Sequence, residues 1–310
     1  MAFSRTGKAM KKKKDPTISL CMLMCDEAEV LKRCLDAARG LWDELIIVDT
    51  GSRDRSIEVA ESFGAKIIKV PWMDDFAWAR NKGIEEAKCD WIFILDPDEI
   101  LSPRDIPRVK EYTRKEEVKV YQLATRNYTN NPYILSYTSN KQDYEEGIGY
   151  RGYAESNKIR LFKNHIGLRF EGIIHEMIDY QALRRKIEGR KIEVPIHHYQ
   201  DDAGKRTGRT KAYFMIRICE KKVEESPYDS KAWWELGISQ TLLGFNARAV
   251  KSMRRSLELA SPMPERLITL GLVIQRLKGG KEGERYIEKA ICMIHPELTH
   301  VKTEYRKALD

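Results

Sequence analysis

Large apolar residues recur through the first third of the chain in short runs, separated by stretches in which apolar and polar positions mix. "TISLCMLMC" (17–25), "ELIIVD" (44–49), "KIIKV" (66–70) and "WIFILD" (91–96) read as strands, and the continuous apolar run from Trp91 to Leu95 suits one buried on both faces of a parallel sheet. Between them, residues 27–39, 55–63 and 76–87 carry apolar side chains at helical spacing. This order, β-α-β-α-β-α-β at short spacing, predicts parallel crossovers. The polar loops "DE" (26–27), "DTGSRD" (49–54) and "DPDE" (96–99) then share one sheet edge, the edge at which open α/β sheets bind ligands.

From about residue 205 the pattern becomes wholly helical and a period of 34 emerges, with "WWELG" (233–237) and "LITLG" (267–271) in register. Leu236 and Gly237 stand one period before Leu270 and Gly271, and Gly244 and Ala249 fall where a tetratricopeptide repeat needs small residues. Two repeats are expected, with residues 208–225 opening a degenerate third. So few do not form a long solenoid alone. They are expected to pack on the preceding domain, on a second copy of the chain in a homodimer, or on both.

Each acidic loop read singly is a helix cap: Asp26, and Ser52 or Asp54, offer oxygens to free amides at a helix start. Acids after the first, second and fourth strands gather negative charge in one crevice, which calls for a cation or a ligand. Asp96 and Asp98 flank Pro97, which lacks an amide and so ends the strand; their hard oxygens suit Mg²⁺ or Mn²⁺ bridging a diphosphate. No GxGxxG or GxxxxGK[ST] loop joins the first strand and helix, so phosphate is not held in a glycine-rich cradle.

Composition narrows the class. The 310 residues are 42% hydrophobic and 33% charged, ordinary for a globular chain. Six of the eight net positive charges come from Arg5, Lys8, Lys11, Lys12, Lys13 and Lys14, so the charge predicts a solvated, disordered tail over residues 1–15 and no specific nucleic-acid partner. The six cysteines lack paired metal spacing and read as buried thiols. No apolar run reaches the ~18 residues of a membrane span, so a cytoplasmic chain is expected, with peripheral contact at the inner membrane face left open. Residues 126–153 read as a long, tyrosine-bearing polar insertion, which either stacks on a sugar, lines an acceptor channel or packs down.

The stretches "ISLCMLMCDEAEVLKRCL", "DELIIVDTGSRDRSIEVA", "DDFAWARNKGIEEA", "DWIFILDPDE", "KIRLFKNHIGLRFEGIIHEMI" and "VPIHHYQ" together resemble the family 2 glycosyltransferases of the GT-A fold. Within that family they look most like the branch of lipopolysaccharide-core glucosyltransferases and bacteriocin peptide S-glycosyltransferases. The resemblance covers most of residues 17–200. It implies a nucleotide-sugar-binding, Rossmann-like mixed sheet flanked by helices at 16–204, followed by the helical region at 205–310. It also implies a metal-dependent, inverting transfer of a hexose or N-acetylhexosamine, with Mn²⁺ or Mg²⁺ as cofactor. The donor would be a nucleoside diphosphate sugar, a UDP-sugar foremost, and the acceptor a protein, peptide or glycan.

Residue by residue, the resemblance implies that Asp49 reads the base, with Asp26 and Glu27 beside it, and that Arg80 lies near the diphosphate. Asp96 would contact ribose or metal, Asp98 the metal, and His198 would complete the metal or diphosphate site, with His197 as rival. Glu176 matches the family's acidic position and is the expected base, with His175 as its neighbour; the plain alternative is that "HEMIDY" opens an amphipathic helix. Arg160 either supports the diphosphate or pairs with a surface acid. Asp26 departs from the family's usual asparagine, and Pro97 from its usual small residue. The competing readings are a non-catalytic tetratricopeptide scaffold carrying a degenerate glycosyltransferase domain, and a nucleotidyltransferase, against which the missing glycine-rich loop argues.

Overall fold

The structure, a computed structural model, describes residues 14–132, 134, 136–199, 208–278 and 281–294. The expected basic tail lies outside this range except for Lys14 and Asp15. The chain divides into two compact units, Met1–Gly204 and Lys205–Asp310.

The first unit opens with the predicted alternation: β1 (Ile18–Met24), α1 (Ala28–Ala37), β2 (Glu44–Asp49), α2 (Ser56–Ser62), β3 (Lys66–Lys69), α3 (Phe76–Glu86) and β4 (Trp91–Ile94). It continues through β5 (Glu99–Leu101), α4 (Ile106–Thr113), β6 (Val120–Thr129), β7 (Tyr137–Ser139), β8 (Gly152–Lys163), α5 (Asp179–Arg184) and β9 (Gly189–Tyr199). Among the described residues all nine strands join one sheet in the order β3-β2-β1-β4-β8-β6-β9-β5, with β7 attached to β8. The first four strands run parallel to one another, and the antiparallel pairing of β4 with β8 and of later strands makes the sheet mixed.

Strand alternation explains how the apolar runs are used. Ile18, Leu20, Met22, Leu45, Ile47, Trp91 and Phe93 pack with Leu31 and Leu35 of α1. The intervening Cys21, Ile46, Ile92 and Ile94 pack with Ala77 and Ile84 of α3. Both faces are therefore dry, as a continuous apolar run requires, and each fully buried side chain contributes roughly 1.5–3 kcal/mol before entropy is counted. Asp75 starts α3 by accepting from Trp78 N at 2.8 Å. At Gly83 the helix comes so close that an added Cβ would sit 3.2 Å from Val48. That approach brings Arg80, one turn earlier, to the carboxyl edge of the sheet.

The order of the later strands shapes the site. β4 and β5 are separated by one short turn, yet lie four positions apart in the sheet. In a flat sheet that would be about 19 Å, whereas a four-residue turn brings its ends within about 7 Å. Strands β8, β6, β9 and β5 therefore curl back over the turn. The expected insertion at 126–153 needs correction, because β6 extends to Thr129 and β8 begins at Gly152, pairing Tyr128 with Tyr153. Its ends are sheet.

In the second unit α6 (Gly208–Glu225) precedes two helical hairpins, α7 (Ser230–Leu242) with α8 (Asn246–Leu259), and α9 (Pro264–Lys278) with α10 (Lys281–Ile294). The period of 34 has a packing cause. A Cβ on Gly237 of α7 would meet Met253 and Ala249 of α8, and one on Gly271 of α9 would meet Gly283 and Ile287 of α10. The same close crossing is repeated. Residues 208–225 form a single helix against α7, without a hairpin partner among the described residues.

Candidate active site

β1 lies between β2 and β4 and runs parallel to both, so the loops after these three strands emerge together. In the first two loops the carboxylates are held by backbone amides. Asp49, buried at the end of β2, accepts from Gly51 N at 3.2 Å and Ser52 N at 3.1 Å. Asp26 is exposed and has φ +57°, a left-handed conformation that Asp and Asn tolerate better than most residues. Its Oδ1 accepts from Arg53 N at 2.7 Å, and its own amide donates to Ser52 Oγ at 3.0 Å. The expected caps are redistributed: Asp26 does not cap α1, whereas Asp54 accepts from Ser56 N in α2 and from Ala28 N in α1. Glu27 is the N-cap residue of α1, and its amide donates to Ser56 Oγ at 2.7 Å. These contacts tie the two loops into one.

The turn after β4 is different. Glu99 N donates to Asp96 O at 3.0 Å, closing a four-residue turn with Pro97 at the position where its fixed φ is favoured. Asp96 continues the even-numbered face of β4, the face covered by α3, and so meets Arg80: Nη2 to Oδ1 is 2.7 Å. Arg160 of β8 approaches the other oxygen at 3.6 Å. Arg160 itself is buried against Glu99, which is likewise buried, so its partner is not the surface acid considered from sequence. Glu99 Oε2 in turn accepts from Asp96 N at 3.0 Å and holds the turn.

Arg80 also donates from Nε to Glu176 Oε1 at 2.5 Å. Glu176 arrives on a loop closed by paired backbone bonds between Glu171 and Met177, and fastened to α3 by Phe76 N to Ile173 O at 3.0 Å. Asn81 adds a two-point clamp on the Phe170 backbone. "HEMIDY" thus does not open a helix at Glu176, since α5 begins at Asp179. The result is a chain of alternating charge, Glu176–Arg80–Asp96–Arg160–Glu99. Burial would raise the Asp96 carboxyl, but Arg80, Arg160 and Lys158 outweigh it and hold it well below the usual range. Burial likewise opposes the Arg80 charge, yet Asp96 and Glu176 push its pKa up. Glu99 goes the other way, pushed up by burial in spite of Arg160.

The two neighbouring histidines face opposite sides of β9. His197 is fully buried with its Nδ1 2.8 Å from Tyr128 Oη, and burial first, then Arg126, lowers it to about 3, so it is a neutral core residue. Tyr128, Tyr144 and Tyr153 are buried around it, so these tyrosines pack the segment down. His198 faces the turn instead, with Nε2 3.3 Å from Asp98 Oδ2 and Nδ1 2.8 Å from Asn127 Oδ1. Burial works to lower its pKa, but the Asp98 carboxylate outweighs that and raises it.

The expected cation ligands Asp96, Asp98 and His198 do not form a group of three: among the described residues no cluster of three His, Cys, Asp or Glu side chains is arranged to hold a metal. Asp96 is turned to the arginines; Asp98 and His198 remain as a pair. A pair fits a divalent cation of the kind that takes one or two protein ligands and completes its shell with water and substrate phosphate. An imidazole in the pair favours Mn²⁺ over Mg²⁺.

A cleft lined by Arg80, Asp96, Lys158, Arg160, Glu176 and Asp179, among others, opens beside this network. His175, exposed and at φ +51°, is not among the lining residues. Lys158 and Asp179 were missed from sequence. Lys158 belongs to β8 close to Arg160, but the β6–β8 register shifts at Arg160, so simple alternation does not predict that both reach the cleft; burial pushes the Asp179 carboxyl up.

Comparison with known proteins agrees with this picture at the level of family. Residues 19–189 match the profile described as glycosyl transferase family 2. A TPR repeat-containing protein of Synechococcus elongatus is 32% identical over 80% of this chain and 58% of its own length. The SPbeta prophage-derived glycosyltransferase SunS of Bacillus subtilis is 23% identical over 80% of this chain and 54% of its own. The chain thus spans somewhat more than half the length of these relatives. Among solved structures, S. aureus TarS 1–349 in complex with UDP-GlcNAc aligns over 90% of this chain and 92% of its own, with 9% identity and a TM-score of 0.46. Among the described residues no helix is long and apolar enough to cross a membrane.

Proposed function

The chain belongs to glycosyl transferase family 2, and we propose that it moves a hexose or N-acetylhexosamine from a nucleoside diphosphate sugar, a UDP-sugar foremost, to a protein, peptide or glycan acceptor with inversion. The observation that carries this reading is the set of exchangeable charge pairs at one sheet edge: Asp98 with His198, and Asp96 and Glu176 with Arg80. Asp98 and His198 would hold Mn²⁺ or Mg²⁺. A bound divalent ion supplies neutralisation of charge on the departing diphosphate.

The side chains of the chain do the rest. Arg80, with Arg160 and Lys158 lining the same cleft, offers positive charge to the diphosphate. As an anion, the donor competes with Glu176 for Arg80. Once Arg80 turns to the donor, Glu176 is a free carboxylate facing the same cleft and takes the acceptor's proton. Asp96 holds Arg80 and Arg160 in place, and Asp26, Glu27 and Asp49 shape the loop against which the nucleoside would lie. His175, beside Glu176, would border the acceptor side. The paired hairpins of the second unit are the part that would engage a peptide acceptor.

The test is a panel of UDP- and GDP-sugars with and without Mn²⁺, read by thermal stabilisation and by release of nucleoside diphosphate. Selective stabilisation and slow donor hydrolysis, both lost in Asp98→Ala, are expected. Failure of every nucleoside diphosphate sugar to bind the wild type would end this reading.

A further inference from the structure

We propose that Asn127 is a positioning residue that locks the His198 ring with its proton on Nδ1, and so aims the Nε2 lone pair at Asp98 to complete a divalent-cation site. The inference rests on the reading of Asp98 and His198 given above, and adds the residue that makes the histidine a ligand rather than a hydrogen-bond donor.

The geometry begins in the sheet. Asn127 on β6 is paired with His198 on β9, and the register between these strands shifts between Leu123 and Thr125. The shift coincides with Pro195 of β9, which has no amide to give to the ladder. Past it, His197 falls opposite Arg126 and His198 opposite Asn127. Without that two-residue offset His197 would stand opposite Tyr128 and His198 opposite Thr129.

The Asn127 amide has its own orientation fixed. Nδ2 donates to Ala154 O of β8 at 3.0 Å, with Thr125 O and Ser156 Oγ both at 3.4 Å. With the nitrogen committed to acceptors, Oδ1 is the atom that faces His198 Nδ1, at 2.8 Å. A carboxamide oxygen only accepts, so Nδ1 carries the proton, and whenever the ring is neutral the lone pair is on Nε2. Across from it, at 3.3 Å, stands Asp98 Oδ2, which also only accepts when ionised. With the ring neutral, two acceptors face each other and the place between them suits a cation; with the ring charged, a proton on Nε2 fills that place and a metal ion must displace it. The 3.3 Å separation is longer than the roughly 2.7–2.9 Å of a charge-assisted N–H···O bond.

This is the arrangement by which a partner on the far ring nitrogen orients a metal-binding histidine, and loss of such a partner typically weakens metal binding about 10- to 100-fold. Mn²⁺ binding to the full chain, followed by loss of the free-ion EPR signal with UDP present, should therefore weaken by about that factor in Asn127→Leu. Asn127→Asp keeps an acceptor oxygen in place and should bind within about threefold of the wild type. A second readout needs no metal: the ¹⁵N shifts of His198 at alkaline pH, where the ring is neutral, should show Nδ1–H in the wild type and a mixture in Asn127→Leu. A wild-type ring protonated on Nε2 overturns the proposal, as does equal Mn²⁺ affinity in wild type and Asn127→Leu. If the wild type shows Nδ1–H but binds no Mn²⁺, the cation half of the proposal is overturned while nucleotide-sugar binding is judged separately by the donor panel.

Discussion

The joined loops after β1 and β2 and the turn after β4 bring acidic residues to the same sheet edge, but they satisfy them by different partners. Asp26, Asp49 and Asp54 accept from backbone amides of Arg53, Gly51, Ser52, Ser56 and Ala28. Asp96 and Asp98 face the side chains of Arg80, Arg160 and His198. A backbone amide cannot leave without unfolding the loop, whereas an arginine or a histidine can change partner by rotating its side chain. The first set of carboxylates therefore builds a surface, and the second holds charges that a ligand can take over. Acid content alone does not separate them; the identity of the donors does.

The sharpest test compares like substitutions in the two loops. In Asp98→Asn the charge facing His198 is lost, and turnover should fall by roughly 10²–10³-fold while stability changes by less than about 0.5 kcal/mol. In Asp49→Asn the remaining carboxamide oxygen still accepts from Gly51 and Ser52, so turnover should fall less than about tenfold. Steady-state release of nucleoside diphosphate and denaturant melts of both variants decide it. Equal losses would mean that the first loop also acts through charge, and the contrast would collapse.

Glu176 and Asp179 share the cleft but differ in partner, since Arg80 holds the former and burial raises the latter. If donor binding frees Glu176, Glu176→Gln should lower kcat by about 10²-fold with little change in donor KM, and Asp179→Asn should lower it by less than about fivefold. The reverse ranking would assign the proton to Asp179.

Much of this was legible in the chain. The buried parallel strands followed from apolar runs, and the acidic edge from the loops between them. Alternation along β4 also places Asp96 on the α3 face, so its meeting with Arg80 could be derived from "WIFILD" once that strand is fixed. What the sequence did not reveal depends on non-local pairing. Which residues of β6 stand opposite His197 and His198 turns on a two-residue register shift between β6 and β9, and the partner of Arg160 on the curl that carries β5 to the far side of β9. Asn127 was invisible for the same reason: it touches the site only through a strand 71 residues away. The tyrosines at 128, 144 and 153 matched sugar-stacking and packing equally well as sequence, and burial alone separated the two.

Asp96 tests the middle of the charge chain. Asp96→Ala removes the acid between Arg80 and Arg160 and leaves two guanidinium groups facing each other. Breaking a fully buried pair costs about 3–5 kcal/mol, but the Asp96 side chain is 23% exposed and water shares the compensation. A loss nearer about 2 kcal/mol is expected, together with a higher donor KM as the arginines lose their alignment. A stability unchanged from wild type would show that Glu99 and Glu176 suffice to hold the two arginines.

The smallest expected effect sits at Asp26, where the sequence departs from the asparagine usual in the resembling family. Asp26 needs a side chain that tolerates φ +57° and an oxygen that accepts from Arg53 N and Asp54 N. Asparagine supplies both, so Asp26→Asn should change stability by less than about 0.5 kcal/mol and leave turnover within about twofold. Asp26→Ala keeps neither advantage and should cost about 1–2 kcal/mol through the loosened loop. Differential melts of the two variants separate geometry from charge. A large effect of Asp26→Asn on donor affinity, with stability intact, would show that this loop's charge, and not its shape, meets the nucleotide.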